Sequence, residues 1–316
     1  MSSIIYNGHE IQDLIVNGNQ AQLWLNGQKL YPTEEPVDPY NPLGLPPFTI
    51  RCKFSSGYTP TMGDSQTLVD ASENVWDITK NDTNWKDLLY SSNLLSVLGA
   101  NSTGVTNMQS LLQSNPNLTQ VELFDTSSCT NMGGFISSSS ITSVPLFDTS
   151  SCTNMSNMFS GCRSLTSVPL FDTSSCKYMN SMFYECRSLT SVPLFDTSSC
   201  TNMEGTFEIC TSLTTIPLFD TSSCISLTRL CNTAGYDSNL TSIPLLNTSS
   251  ATDVSYMFNG NGNVQSGSLE LYQQMSTQAT PPSNHSGCFT NCGYNTQTGA
   301  AELAQIPTSW GGTMAE

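Results

Sequence analysis

Two kinds of reactive side chain recur at a fixed interval in this 316-residue sequence. Aspartates stand at Asp125, Asp148, Asp172, Asp196 and Asp220, in steps of 23, 24, 24 and 24 residues. Cysteines keep time with them at Cys129, Cys152, Cys176, Cys200 and Cys224, and a second series falls at Cys162, Cys186 and Cys210. Rows of carboxylates are suited to cation binding or glycoside hydrolysis, and rows of thiols to disulfides or metal. Spacing argues for a plainer role in both cases. Equivalent residues on stacked strands sit ~4.8 Å apart, beyond the ~3.8 Å mean Cβ separation of a disulfide, so the thiols are expected as a buried packing ladder. Each Asp precedes Thr-Ser-Ser, where its carboxylate can accept backbone N–H bonds in an Asx turn, and that local gain takes precedence over a cation site.

The remaining chemistry is sparse. His285, Cys288 and Cys292 sit in HSGCFTNCG, three ligands where a closed zinc site needs four, and the segment echoes MFSGC of the repeat. Neither a nucleophile elbow nor a phosphate-binding glycine fingerprint is present, and the histidines are His9 and His285. The expectation is a protein with no catalytic residue, no cofactor and no metal.

The elements that position these ladders come from the unit LFDTSSCTNM, which begins at Leu123, Leu146, Leu170, Leu194 and Leu218, with a degraded copy, LLNTSSATDV, at Leu245. A period of about 24 residues signals a solenoid, each unit exposing an apolar face that its neighbours cover. Within the unit, SVPLF reads as a short strand, DTSS as a turn, CTNM as a second short strand and MSNMFSGC as one to two turns of helix. Met, Phe, Leu and Cys are assigned inward places. The fold class expected is a leucine-rich-repeat-like α/β solenoid, with short strands plus short helices in each repeat, a small N-terminal β attachment module and capping elements.

Five segments follow in order. Residues 1–31 hold alternating runs separated by Asn-Gly or Gly-Asn, the signal of antiparallel hairpins. Some 30 residues bury too little to stand alone comfortably, so Ile4, Ile15, Leu23, Trp24 and Leu25 are candidates for a docking interface. Residues 32–47 carry six prolines and read as an extended linker. Residues 48–97 form the N-terminal cap, with strands at FTIRCKF and QTLVDAS and a helix around Thr83–Leu95. The repeats occupy 98–267. A C-terminal cap fills 268–316, with a helix at Ser268–Ala279 and a second, shorter one in Ala300–Trp310 that ends at Pro307.

Acids outnumber bases by 25 to 9, a formal charge of −16. With no clustered Lys and Arg, the electrostatic attraction that nucleic acid and anionic lipid require is missing. No run approaches the ~20 apolar residues of a membrane span, so membrane insertion is not expected. The N-terminus lacks the basic and apolar regions of a signal peptide, which points either to a cytosolic protein or to one assembled in a cytosol and carried out within a larger particle.

The unit FDTSSCTNMSNMFSGCRSLTSVP resembles the leucine-rich-like surface repeats of the BspA type, over roughly Leu98 to Phe258. The N-terminal YNG…VNGN…LNGQKLY is similar to the short attachment module at the start of phage tail and fibre proteins, and the flanks resemble caps of phage-encoded repeat proteins. These resemblances imply a solenoid with a binding role. They point to a virion protein assembled in the bacterial host cytoplasm, anchored to other virion proteins by its N-terminus and facing a host-surface glycan or protein. Homo-oligomerisation is left open. Purely structural decoration and a bacterial surface adhesin are the neighbouring readings, and a glycan depolymerase is the most distant one. A recognition surface is expected where copies depart from the consensus, because packing does not fix those positions: Arg163, Lys177, Tyr178, Tyr184, Glu185, Arg187, Glu204, Glu208 and Arg229.

Overall fold

The computed structural model describes residues 38, 40–57, 59–60, 74–89, 91–233 and 235–314 in full, and 5–6, 9–10, 13–17, 20–25, 28–31 and 66–72 by their backbone. The N-terminal runs form strands β1 (Ile5–Tyr6), β2 (His9–Glu10), β3 (Asp13–Asn17), β4 (Gln20–Leu25) and β5 (Gln28–Tyr31). β1 pairs with β2, and β3-β4-β5 make a separate antiparallel sheet. Ile15 lies in β3 and Leu23, Trp24 and Leu25 in β4; their side chains, and Ile4 altogether, fall outside the described residues, as do 32–37 and 39 of the linker. Its far end is not extended. Asn41 hydrogen-bonds both the N–H and the C=O of Leu45, Asn101 donates to the same carbonyl, and Leu45 is buried.

A five-stranded sheet in the order β10-β9-β6-β8-β7 starts the folded body. Its members are β6 (Thr49–Phe54), β7 (Gln66–Ser72), β8 (Val75–Lys80), β9 (Leu94–Asn101) and β10 (Gln120–Val121). β10 belongs to the first full coil and pairs in parallel with β9, so the sheet and the coils share an edge. Arg51 and Asp77 lock β6 to β8 with two bonds of 2.6 and 2.7 Å.

From there the chain stacks coil on coil. Single-residue parallel bridges join Asn84, Asn107, Asn131, Asn154, Tyr178, Asn202, Ser226, Asp253 and Asn284 in succession. Around each bridge, every second N–H reaches the next coil: Met155, Asn157, Phe159 and Gly161 donate to the carbonyls of Tyr178, Asn180, Met182 and Tyr184 at 2.7–2.9 Å. The intervening amides close three-residue turns, such as Met158 to Met155 and Cys162 to Phe159.

This alternation replaces the expected helix. Among the described residues no α-helix lies between 98 and 267. The spacing of Met155, Met158, Phe159 and Cys162 fits a helix face, but Asn157 and Gly161 have φ of 58° and 75°, and a left-handed residue every fourth position stops a right-handed helix. The same pair of positions recurs as Ser181 and Glu185, then Gly205 and Ile209. Each non-glycine case costs about 1–2 kcal/mol, which four intercoil bonds at about 0.5–1.5 kcal/mol each can offset. Thr83–Leu95 is likewise not a helix. Trp85, Asp87 and Leu89 donate to Asn107, Gln109 and Leu111 of the next coil, so this part of the cap is already a coil, with Trp85 in the core.

SVPLF is no strand either. Phe171 N–H turns back to Pro169 C=O at 3.0 Å, which sends Phe171 inward and Leu170 out to solvent. Leu165, Leu189 and Leu213 are inward as expected, whereas Leu146, Leu170, Leu194, Leu218 and Leu245 are outward. Two columns of phenylalanine fill the core. Phe159, Phe183 and Phe207 stack at 5.7 Å between centroids, and Phe171, Phe195 and Phe219 at 6.5 and 6.4 Å, within the favoured range for offset rings.

The last coil carries His285, Cys288, Phe289 and Cys292, the three latter all buried. Helix α1 (Ser268–Thr277) and helix α2 (Gln297–Leu303), the latter capped by Thr296, close the end with a 3₁₀ turn at Thr308–Trp310. The second helix thus starts earlier than expected, at Gln297, and ends at Leu303, before the expected stop at Pro307. Phe289 N–H donates to Trp310 C=O, replacing the missing next coil, and the Trp310 ring stacks on His285 at 4.0 Å.

Removing a column ring should be far more costly than removing an outward leucine. Phe183→Ala is expected to lower stability by about 3–5 kcal/mol, and Leu194→Ala to leave it within about 0.5 kcal/mol, as read by urea denaturation.

Candidate functional site

The two recurring reactive groups have structural partners. Oδ1 of each aspartate accepts the N–H and the hydroxyl of the serine two residues on: Ser174 to Asp172 at 3.0 and 2.6 Å, and likewise Ser198 to Asp196 and Ser222 to Asp220. Asn247 fills the same role in the degraded copy, accepting from Ser249 N–H at 3.0 Å. Between them, buried threonines tie coil to coil: Thr149, Thr173 and Thr197 donate to Asp172, Asp196 and Asp220 C=O at 2.7, 2.7 and 2.8 Å. A second Asx turn, absent from the sequence-based expectations, sits at the bridge, where Asn154 Oδ1 accepts from Ser156 N–H and its Nδ2 donates to Asn131 Oδ1.

All twelve cysteines are free and buried. Cys152 and Cys176 donate to the carbonyls of Asn154 and Tyr178, both at 3.3 Å, and Cys186 and Cys210 to Phe159 and Phe183, at 3.1 and 3.0 Å. Burial pushes Cys129 up to about 11 and Cys152 up to about 12, whereas the bond with Cys224 holds Cys200 below its ordinary value. All twelve pack in the interior. Among the described residues no three of His, Cys, Asp and Glu gather as a metal site.

The expected recognition residues divide into three groups. Arg163, Tyr184, Glu185 and Arg187 come together. Arg163 Nε donates to Glu185 Oε2 at 2.9 Å and its Nη2 joins the same oxygen, while Arg187 Nη2 lies 3.4 Å from Glu185 Oε1. Burial would raise the Glu185 carboxyl, but the bond to Arg163 and the two guanidinium charges outweigh it and hold it below its ordinary value. Arg187 also lies over the ring of Tyr236, 4.6 Å from its centroid. Glu208 and Arg229 lie on the following coils. Glu208 accepts from Asn232 at 2.8 Å and is raised by burial, and Arg229 lies over Tyr256. Glu204, whose N–H donates to Asn202 Oδ1, is in the same coil as Glu208. Lys177 and Tyr178 stand apart on the bridge side, both exposed.

Arg163, Tyr184 and Glu185 of the first group border a cleft of about 430 Å³, walled also by Ser138, Ser140 and Ser160. A second hollow of about 380 Å³, lined by Gln109, Gln113, Asn154 and Asn157, shares Ser138 and Ser160 with it. The two make one polar trough running across successive coils. Sequence reasoning missed the serine wall and Tyr236. The serines are ordinary repeat letters, and Tyr236 lies in the coil that carries an insertion.

Stacked coils of about 24 residues, held by parallel single-residue bridges and carrying an outward polar trough, define a tandem-repeat protein. The family described as Mycoplasma protein of unknown function, DUF285, matches residues 90–191 and 190–279, more than half of the 316 residues. The chain belongs to that family, whose repeats are BspA-like. No curated protein and no solved structure matches the chain. No helix among the described residues is long and apolar enough to cross a membrane.

The Asp turns carry a pH dependence with a definite sign. The hydroxyls of Ser174, Ser198 and Ser222, and then their N–H groups, hold Asp172, Asp196 and Asp220 below their ordinary 3.8. A carboxylate depressed in the folded state stabilises fully above the unfolded value and loses that contribution as pH falls through the folded one. Denaturation midpoints should therefore drop as pH falls below that ordinary value. Asp172→Asn, Asp196→Asn and Asp220→Asn together should flatten that acid limb, since Asn keeps the turn without titrating.

Proposed function

We propose that the chain is a leucine-rich-repeat-like solenoid that serves as a non-catalytic adhesion protein. In this reading a phage virion carries it through the N-terminal strands, and it faces a host-surface or mucosal glycan or protein. The observation that supports a binding role is the polar trough, where a wall of serine hydroxyls meets Tyr184 and the paired Arg163 and Glu185. Hydroxyls and charged side chains offer hydrogen bonds to a sugar or a polar loop, and an aromatic ring beside them supplies a rigid apolar contact. The separate N-terminal sheet and its resemblance to phage attachment modules support the virion assignment. The reactive side chains of the repeat are engaged in turns and packing, which favours binding over hydrolysis.

Binding of the full chain to candidate host cells and to a panel of surface glycans tests this reading. Saturable binding is expected, weakened at least about tenfold in Tyr184→Ala/Arg163→Ala, as for loss of an aromatic-arginine hot spot. No saturable binding on any surface would leave structural decoration in its place. Release of new reducing ends from a polysaccharide would replace it with the depolymerase reading.

A further inference from the structure

A second outward feature is independent of the trough. Leu146, Leu170, Leu194, Leu218 and Leu245 each stand 50–62% exposed at the same position of five successive coils. Single exposed leucines need no explanation, but a contiguous row marks an interaction surface. At ~4.8 Å per coil the row spans about 19 Å over its four steps. The inverse turn from Phe N–H to Pro C=O, repeated at Phe147, Phe171, Phe195, Phe219 and Leu246, holds every leucine at its apex. The surface is therefore rigid and preformed.

Two residues beyond each leucine stands the capping residue of the Asx turn, giving a parallel row of Asp148, Asp172, Asp196 and Asp220 that ends in Asn247. Their Oδ1 atoms are spent on serines. Among the described residues, nothing pairs with the Oδ2 atoms of the four aspartates. An apolar stripe thus runs beside a line of carboxylates, each with one oxygen turned to solvent. A second copy of the chain suits it poorly, because two bodies of charge −16 would meet along acidic edges.

We infer that this stripe docks a basic amphipathic helix from a partner protein, with apolar residues on the leucines and Lys or Arg on the aspartates. The dimensions agree: a helix pitch of ~5.4 Å is close to the coil step, and about 19 Å takes three to four turns. Apolar residues at i, i+3, i+4 and i+7 would follow the stripe, and basic residues flanking them would reach the Asp row.

The test uses the full chain and a Leu/Lys amphipathic helical peptide of about 18 residues, enough for the required turns, with its Leu/Glu counterpart as control, followed by fluorescence anisotropy. The Leu/Lys peptide should bind saturably and more weakly as salt rises, while the Leu/Glu peptide should not bind. Leu170→Ser/Leu194→Ser/Leu218→Ser leaves the net charge and the core intact and should abolish binding with an unchanged melting temperature. Asp172→Asn/Asp196→Asn/Asp220→Asn keeps the turn, as Asn247 does, and should weaken binding at least about tenfold, for loss of surface ion pairs acting as a row. Equal binding by wild type and the leucine variant would overturn the inference, because attraction to a −16 protein would then suffice. A leucine-dependent dimer in sedimentation would overturn it too, by assigning the stripe to a second copy.

Discussion

The structure depends on hydrogen bonds that run between coils and not within them. A parallel bridge one residue long is too short to be a strand, and a turn broken every fourth residue by a left-handed backbone is no helix. Each coil has little local order to stand on. It is held because Met155, Asn157, Phe159 and Gly161 find acceptors one coil away, and because the side-chain ladders repeat that arrangement in threonine, asparagine and cysteine. Stability of such an array is a matter of neighbours, and its two ends need special closure. One end has the five-stranded sheet, whose edge strand β10 is itself part of the first full coil. At the other, Trp310 supplies the carbonyl and ring that a further coil would have given.

Once the backbone is fixed this way, inward and outward positions carry separate duties. Two phenylalanine columns, the cysteines and Met, together with buried Thr149, Thr173 and Thr197, fill or tie the interior. The aspartates serve the turn with one oxygen. Outward positions are released from packing and can differ between coils, as Asn157, Ser181 and Arg229 do at one left-handed position. A family of repeats can therefore keep one interior while varying its surfaces.

Much of this was legible in the sequence for a simple reason: what repeats must be scaffold. The period, the inward Phe and Cys, the Asx turns and the coil-like character of HSGCFTNCG all follow from repetition. The helix reading failed because Met155, Met158, Phe159 and Cys162 have helical spacing, and the left-handed residues between them are often Asn, Ser or even Ile209 rather than glycine. Leu146, Leu170, Leu194 and Leu218 read as inward because apolar letters in a repeat usually are; the turn back to proline, which aims them outward, has no strong letter of its own. For the trough, departures from consensus located Arg163, Tyr184 and Glu185, with Arg187 beside Glu185. They also named Lys177 and Tyr178, which do not join them, since sequence position within a coil does not say which side it faces.

Hydrogen exchange, resolved to individual amides, tests the central claim most directly. In wild type, Met155, Asn157, Phe159 and Gly161 should be protected. In Phe183→Ala, which loosens the next coil, all four should lose protection together, because their acceptors lie there. Unchanged protection of these amides, with loss confined to the coil that carries the substitution, would show that each coil is held by its own bonds and contradict the account.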